Sequence, residues 1–271
     1  MKPSCPSSSF SAVLLSCLLV LFLSACSPLT SEPYQSSRQK SGPDLPLLRV
    51  GVTSDAPPII YKKNKKILGL EADLAKKFAR FSGRTVKFIE VDWSDQIEAL
   101  EDNKIDIIMS GMTITEPRRY RISFTNPYLR SGQILLVRLR DKGRFSTGIY
   151  SLMNSSYAIG VVKNTTGDLF ITRTINGAKM KRFKSSESAV KALINKDIDA
   201  FVYDAPMVCH YAAINENAKL TPILTLATEE FLAWGIRKED SELRSQANEF
   251  LQQLETSGQL QQIIRNWIPY M

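Results

Sequence analysis

Apolar and polar residues along this chain fall into three patterns, and each predicts a different kind of element. Between Gly69 and Gly83, Leu70, Leu74, Phe78 and Phe81 recur at helical spacing while Lys76, Lys77 and Arg80 lie off their face. This is an amphipathic helix with Gly83 at the position that favours a left-handed cap. Phe250, Leu254, Leu260, Ile263, Ile264 and Trp267 predict two terminal helices, interrupted near Gly258 and packed back on the first part of the fold. The second pattern is the short β-rich run ending in turn residues, seen from Leu48 to Asp55 and again from Tyr157 to Thr166. The third is the mainly apolar stretch from Phe10 to Leu23, which follows Lys2 and precedes small residues. It predicts a signal peptide over 1–25 and not a core helix.

The two β-rich runs belong to a longer echo. Ala99-Leu100, Asn103-Lys104 and Ile105-Asp106 match Ala192-Leu193, Asn195-Lys196 and Ile198-Asp199, with seven residues from Ala to Asp both times. In each copy a helix end is followed by a short turn and an apolar strand, Ile105 to Ser110 and Ile198 to Tyr203. That is the second half of a right-handed βαβ unit. The fold class is therefore α/β, with each half of the chain building a mainly parallel sheet flanked by helices. In such a sheet ligands sit beyond the carboxyl ends of the strands, which makes Thr53 to Asp55, Ser110 to Thr113, Asn164 to Gly167, and Asp204 the candidate site positions. A cleft between two lobes is also where small-molecule sites concentrate.

Composition narrows the picture. The 271 residues are 44% hydrophobic and 23% charged, enough apolar material for a sizeable core. The balance of 35 Lys+Arg against 27 Asp+Glu gives a formal charge of +8. The basic residues are scattered, as in Lys62-Lys63 and Lys181-Arg182, and read as solvated faces, so no nucleic-acid partner is expected. Leu23-Ser24-Ala25-Cys26 resembles the bacterial lipobox, which makes Cys26 the lipid-modified mature N-terminus. Of the four cysteines, Cys5 and Cys17 then leave with the leader, and Cys209 has no intrachain partner. Residues 26–46, rich in Ser, Pro, Gln and Lys, read as a flexible tether from the lipid to a domain beginning near Leu47.

One stretch carries a family resemblance. Ser110-Gly-Met-Thr113-Ile-Thr115-Glu-Pro-Arg118-Arg119, continued by Ile122-Ser-Phe124-Thr-Asn-Pro127-Tyr128 and Ser131-Gly-Gln133, resembles the extracellular solute-binding proteins of ABC importers that bind polar amino acids. The resemblance covers about residues 47–268 and is nearest to arginine-binding members. It implies a two-lobed periplasmic-binding-protein type II fold with a two-stranded hinge. Lobe 1 is expected to span 47–137 and 228–271 and lobe 2 138–227, with crossings near Leu136-Val137 and Leu226 to Thr228.

The resemblance also assigns roles. Arg118 would grip the ligand α-carboxylate with help from Thr113, Ser110 and Gly111, a task suited to a planar guanidinium that makes two parallel charge-assisted bonds. By itself Arg118 also fits a surface arginine, like its neighbours Arg119 and Arg121. Asp204 would accept the α-ammonium from the second lobe, although alone it also fits a turn before Pro206. Asn164, Thr165 and Thr166 match a second-lobe loop whose amides and hydroxyls reach the carboxylate near a helix N-terminus. Trp93 aligns with an aromatic wall for the ligand side chain, where an ordinary core tryptophan is the alternative. The loop after the first strand departs from the basic-amino-acid binders, since its acidic group is displaced to Asp55. Asp55, with Glu71, is the candidate partner for a ligand guanidinium or ammonium.

The implied partners are a free amino acid, an inner-membrane ABC permease and a membrane reached through the lipid. The expected state is a monomer in the periplasm or cell envelope, without metal or cofactor. Two rival functions share the fold: a surface adhesion or signalling lipoprotein, and a cleft enzyme such as a dehydratase. Cys209 and His210 are adjacent on a predicted helix and so point about 100° apart, which suits no catalytic dyad.

Overall fold

In the computed structural model, which describes residues 45–177 and 179–269, the chain opens on strand β1 (Leu47–Val52). The leader, the tether to residue 44 and Cys26 lie outside the described residues. After β1 come β2 (Asp55–Ala56), β3 (Ile60–Lys63), β4 (Lys66–Leu68), α1 (Leu70–Phe81), β5 (Thr85–Glu90), α2 (Gln96–Glu101), β6 (Ile107–Ile108), α3 (Glu116–Arg121) and β7 (Ser123–Phe124). The chain then runs through β8 (Leu129–Ser131), β9 (Gln133–Arg138), β10 (Ala158–Val162), α4 (Thr166–Thr174), β11 (Lys179–Phe183), α5 (Ser186–Ile194), β12 (Ala200–Asp204), α6 (Ala205–Ile214) and β13 (Leu220–Ile223). It returns through β14 (Glu230–Leu232) and β15 (Gly235–Ile236) to α7 (Ser241–Thr256) and α8 (Gln259–Trp267).

Two five-stranded sheets result, in the orders β5-β1-β6-β15-β7 and β11-β10-β12-β9-β13. In each the first three strands are parallel and the fourth is the single reversed strand. β6 is shorter than the strand expected over 105–110, but its ladder continues through Asp106 N–H to Arg49 O (2.8 Å) and Met109 N–H to Gly51 O (3.0 Å).

The sequence echo has a physical basis here. Asp106 accepts from the Arg49 amide (2.8 Å) at the start of β1, and Asp199 accepts from the Ala158 amide (2.9 Å) at the start of β10. Gly51 and Gly160 leave room for Ile105 and Ile198, whose Cδ1 atoms would lie 2.3 and 2.4 Å from an added Cβ. An arginine at the end of the reversed strand, Arg138 as the last residue of β9 and Arg237 just after β15, then closes each copy. Arg237 Nη1 donates to Ile105 O (2.6 Å) and its guanidinium pairs with Asp240 (3.4 Å) and Asp106 (3.6 Å). Arg138 Nη1 donates to Leu193 O (2.8 Å) and Ile198 O (2.7 Å), and its guanidinium pairs with Asp141 (2.6 Å) and Asp199 (3.3 Å). Both arginines thus hold the helix-to-strand turn at the sheet end away from the strand carboxyl termini.

α1 buries Leu70, Leu74, Ala75 and Phe78 as its periodicity requires. The terminal helices cover it: Phe250 packs at a tilt against Phe78 (5.5 Å) and Phe81 (5.4 Å), and Trp267 Nε1 donates to Asp73 (3.0 Å).

The first crossing between the sheets lies earlier than Leu136-Val137. Gln133 to Val137 pair with β12 on one side, and Leu135 to Arg138 with β13 on the other, so this strand belongs to the second sheet. The connection is the antiparallel pair β8 and β14. Just past it, a Cβ on Gly132 would stand 2.1 Å from Thr228 O, so the two crossing chains approach as closely as they do only because residue 132 has no side chain.

Candidate ligand-binding cleft

The carboxyl ends of β1, β6, β10 and β12 open on one cleft of about 540 Å³. One wall carries Thr53 to Ala56, Trp93, Ser110, Gly111, Thr113 and Arg118; the other carries Asn164 to Thr166, Tyr203, Asp204 and Met207. Residues as far apart in sequence as Thr53 and Met207 meet because the strand ends of both sheets face the cleft, as the topology of open α/β sheets dictates.

Arg118 is placed by a capped helix start. Thr115 accepts from the Arg118 amide at the N-cap of α3, Pro117 pre-sets the first turn, and the side chain folds back so that Nη1 donates to Thr113 O (2.8 Å). Its guanidinium carbon lies 5.1 Å from the centroid of Trp93, within cation–π range. Burial lowers its pKa while Asp204 and Glu230 oppose that shift, so the cation stands in a desolvated, negatively biased site. Arg119, by contrast, is exposed and 3.7 Å from Glu116 on its own helix.

Across the cleft, Asp204 caps the end of β12 and is 6% exposed. Burial, with the neighbouring Glu230 carboxylate, pushes it up to about 8. A cationic group placed against it reverses that shift, because it restores to the carboxylate the countercharge that burial removes. Gln133 Nε2 reaches Asp204 (2.8 Å), Glu230 (3.1 Å) and Thr166 (3.1 Å). The Glu230 carboxylate favours the nitrogen at this end of the amide.

Thr165 N-caps α4, accepting from the Asp168 amide, and Asp168 accepts in turn from the Asn164 amide (3.0 Å) and pairs with Arg182 (2.8 Å). The first-turn amides of Thr166 and Gly167 have no intrahelical partner by helix geometry, and they point to anion binding at this end.

Asp55 is half-buried, accepts from Thr53 Oγ1 (2.8 Å) and is pushed up by burial, with Asp92 and Glu187 adding to the effect. Two direct contacts join the walls: Trp93 Nε1 donates to Asn164 O (3.0 Å), and Ser186 Oγ donates to Asp55 O (2.5 Å) while bonding Tyr211 OH (2.7 Å). The cleft is therefore in a closed arrangement.

Every residue given a ligand role from the sequence lines this cleft except Glu71; of the strand-end runs, Met112 and Gly167 do not line it. Glu71 is fully buried beneath it, where Oε2 accepts from the Gly111 amide (2.5 Å) beside Tyr128 and Trp234, and burial pushes it up to about 8. It supports the loop from below and is out of reach of a ligand side chain. Ser110 lines the cleft, but its hydroxyl already accepts from Thr53 N–H (2.9 Å) and Gln96 Nε2 (2.8 Å), so it ties two strand ends together. Glu230 and Gln133 went unrecognised as site residues. Gln133 stands inside the quoted motif, while nothing local marks Glu230. Among the described residues, no group of three or more His, Cys, Asp or Glu could hold a metal ion.

Residues 48–270 match the profile of the bacterial extracellular solute-binding proteins, family 3. The chain belongs to this family. This solute-binding protein is 29% identical over 199 residues to a probable histidine-binding protein of Neisseria gonorrhoeae, covering 72% of each chain. It is 28% identical to the ABC transporter glutamine-binding protein GlnH of Bacillus subtilis, over 96% of each chain. Among solved structures it resembles an ancestral arginine-binding protein bound to arginine, with 30% identity, a TM-score of 0.75, and coverage of 82% of this chain and 97% of that one. The periplasmic-binding fold read from the sequence is thus the family's fold, and the solute-binding protein is a receptor and not an enzyme.

Proposed function

We propose that this protein captures an α-amino acid with a cationic side chain, arginine first, and presents it to the permease of an ABC importer. The observation that carries the reading is the placement of opposite charges on opposite walls, Arg118 for an α-carboxylate and Asp204 for an α-ammonium. The Trp93 face and the half-buried Asp55 carboxylate extend from them as a lane for an aliphatic stem and its cationic tip. Charge balance supports a cation, because the acids lining the cleft, Asp55, Glu90, Asp92 and Asp204, outnumber the bases Lys163, Lys184 and Arg118. The importer role draws on the glutamine-binding relative, named as part of an ABC transporter. Closure turns about β8 and β14, with residues 47–131 and 230–269 on one side and 133–228 on the other.

Calorimetric titration of the exported chain from Ser27 with arginine, histidine, glutamine and glutamate tests this. Arginine is expected to bind tightest, and Asp55→Asn to weaken arginine about tenfold, ~1.4 kcal/mol, while sparing glutamine. Equal weakening of both ligands would remove Asp55 from the specificity site. No binding of any amino acid would leave the adhesion reading standing.

The anchor is Cys26. Labelled fatty acid is expected to enter the wild-type protein and not Cys26→Ala, and equal incorporation in both sinks the lipoprotein assignment. Two or more acyl chains on that residue anchor a soluble domain without any spanning helix, whereas one chain alone holds it only marginally.

A further inference from the structure

Glu230 has no role in the binding scheme above. It stands on β14 in the hinge pair, is 7% exposed and does not line the cleft. Its carboxylate nevertheless faces four donors, three threonine hydroxyls and the Gln133 amide, whose two protons are shared among Glu230, Asp204 and Thr166. Oε2 accepts from Thr113 Oγ1 (2.8 Å) and Thr166 Oγ1 (2.9 Å); Oε1 accepts from Thr228 Oγ1 (2.8 Å) and Gln133 Nε2 (3.1 Å). Thr113 follows β6 of the first sheet and Thr166 opens α4 on the second, so one buried acid holds a hydroxyl from each wall.

A carboxylate surrounded by donors has only lone pairs to offer, and a threonine hydroxyl has one proton. Thr113 and Thr166 both spend that proton on Glu230. Toward the cleft each then presents acceptor lone pairs alone. Thr166 Oγ1 also accepts from Gln133 Nε2 (3.1 Å), which uses one of its two pairs; Thr113 keeps both. With their protons withdrawn these hydroxyls repel a carboxylate oxygen and attract an N–H donor, which is the reverse of the carboxylate-assisting role that the family resemblance implies for them.

We infer that Glu230 is a positioning residue that orients the Thr113 and Thr166 hydroxyls as acceptors for the ligand α-ammonium beside Asp204. The ligand carboxylate is left to Arg118 and the first-turn amides of α4. The ammonium then meets three acceptors drawn from both walls, Thr113 Oγ1, Thr166 Oγ1 and Asp204, and its recognition is coupled to closure through the single hinge residue that sets two of them. This rests on the amino-acid reading above and adds a specificity element to it: the site discriminates an α-amino acid from the corresponding acid that lacks the amine.

The test compares L-arginine with 5-guanidinopentanoic acid, its des-amino counterpart, by calorimetry on wild type, Glu230→Gln and Thr113→Val. L-Glutamine and 4-carbamoylbutanoic acid form a second pair that does not depend on the cationic assignment. In Glu230→Gln the amide can donate, so the hydroxyls are free to turn. The preference for the amino acid over its des-amino partner is expected to shrink about tenfold, with the des-amino compound bound as well as before or better. Thr113→Val, which deletes one acceptor and leaves Glu230 in place, is expected to shrink the same ratio. A merely structural Glu230 would weaken both members of a pair equally, and that result overturns the inference, as does an unchanged ratio in Thr113→Val. Wild type that binds neither arginine nor glutamine overturns the amino-acid reading itself, whereas wild type that binds one of them with a ratio unmoved by Glu230→Gln overturns this inference alone.

Discussion

Arg118→Lys is expected to weaken amino-acid binding by roughly thirtyfold to several thousandfold, about 2 to 5 kcal/mol, while Arg119→Lys changes it by less than about twofold. The two positions are adjacent in sequence and differ only in surroundings. Arg118 is desolvated, has one donor fixed on Thr113 O and stacks over Trp93, which leaves its remaining N–H edge pre-set for a carboxylate. A lysine ammonium supplies a point charge in place of that fork and cannot lie flat on the indole. Arg119 is exposed and holds only a long contact to Glu116, an arrangement worth little at a surface. Titration of both variants with arginine decides the matter, and equal affinities would mean that the carboxylate is held elsewhere.

The largest effect on stability is expected at Arg138, on the far side of the second sheet. Arg138→Met removes a guanidinium that satisfies Leu193 O, Ile198 O, Asp141 and Asp199 at once, with its side chain 10% exposed. Breaking a buried pair by deleting one partner costs about 3 to 5 kcal/mol; here the Leu193 and Ile198 carbonyls lose this donor and Asp141 keeps only the long contacts to Arg140 and Arg144. For a domain of this size that lowers the melting temperature by roughly 6 to 20 °C. Arg144 also reaches Asp141 (3.6 Å), but with 65% of its side chain exposed, and Arg144→Ala is expected to shift melting by no more than a couple of degrees. Thermal unfolding followed by circular dichroism separates the two, and an Arg138→Met protein that melts with wild type would show the clamp to be dispensable.

What could be read from the sequence was whatever repeats locally. The helical period over 70–81 and the echo of Ala99 to Asp106 in Ala192 to Asp199 carry their own geometry, so the elements and the strand ends that face the cleft were legible from them. Arg118 was legible for a different reason, as part of a motif. Glu71 was misplaced although its position could have been read: it lies three and seven residues before Leu74 and Phe78, on the buried stripe of α1. Reading the acid as a ligand partner overlooked that a buried carboxylate can be held by a backbone amide, here that of Gly111. The first crossing was placed too late because Gln133 to Val137 reads as a buried strand without saying which sheet it joins. Glu230 was out of reach, since its contact with Thr113 spans 117 residues and no periodicity links them. The second arginine clamp was visible in principle, as Arg138 and Arg237 each precede an aspartate by three residues, but the match has meaning only once both strands are seen to run backwards in their sheets.

The bonds from Trp93 to Asn164 O and from Ser186 to Asp55 O have a consequence for selectivity. Neither requires a ligand atom, so each lowers the free energy of the shut state by the same amount whatever occupies the cleft. A receptor whose shut state is populated only in part binds every ligand more weakly by that fraction. Strengthening either bond would raise the affinity for the right and the wrong amino acid by one common factor, and cutting either would lower both alike. Grip and choice are thus set by different atoms: the wall-to-wall bonds decide how tightly anything is held, and only groups that touch the variable part of the ligand, such as Asp55 and the Trp93 face, can decide what is held.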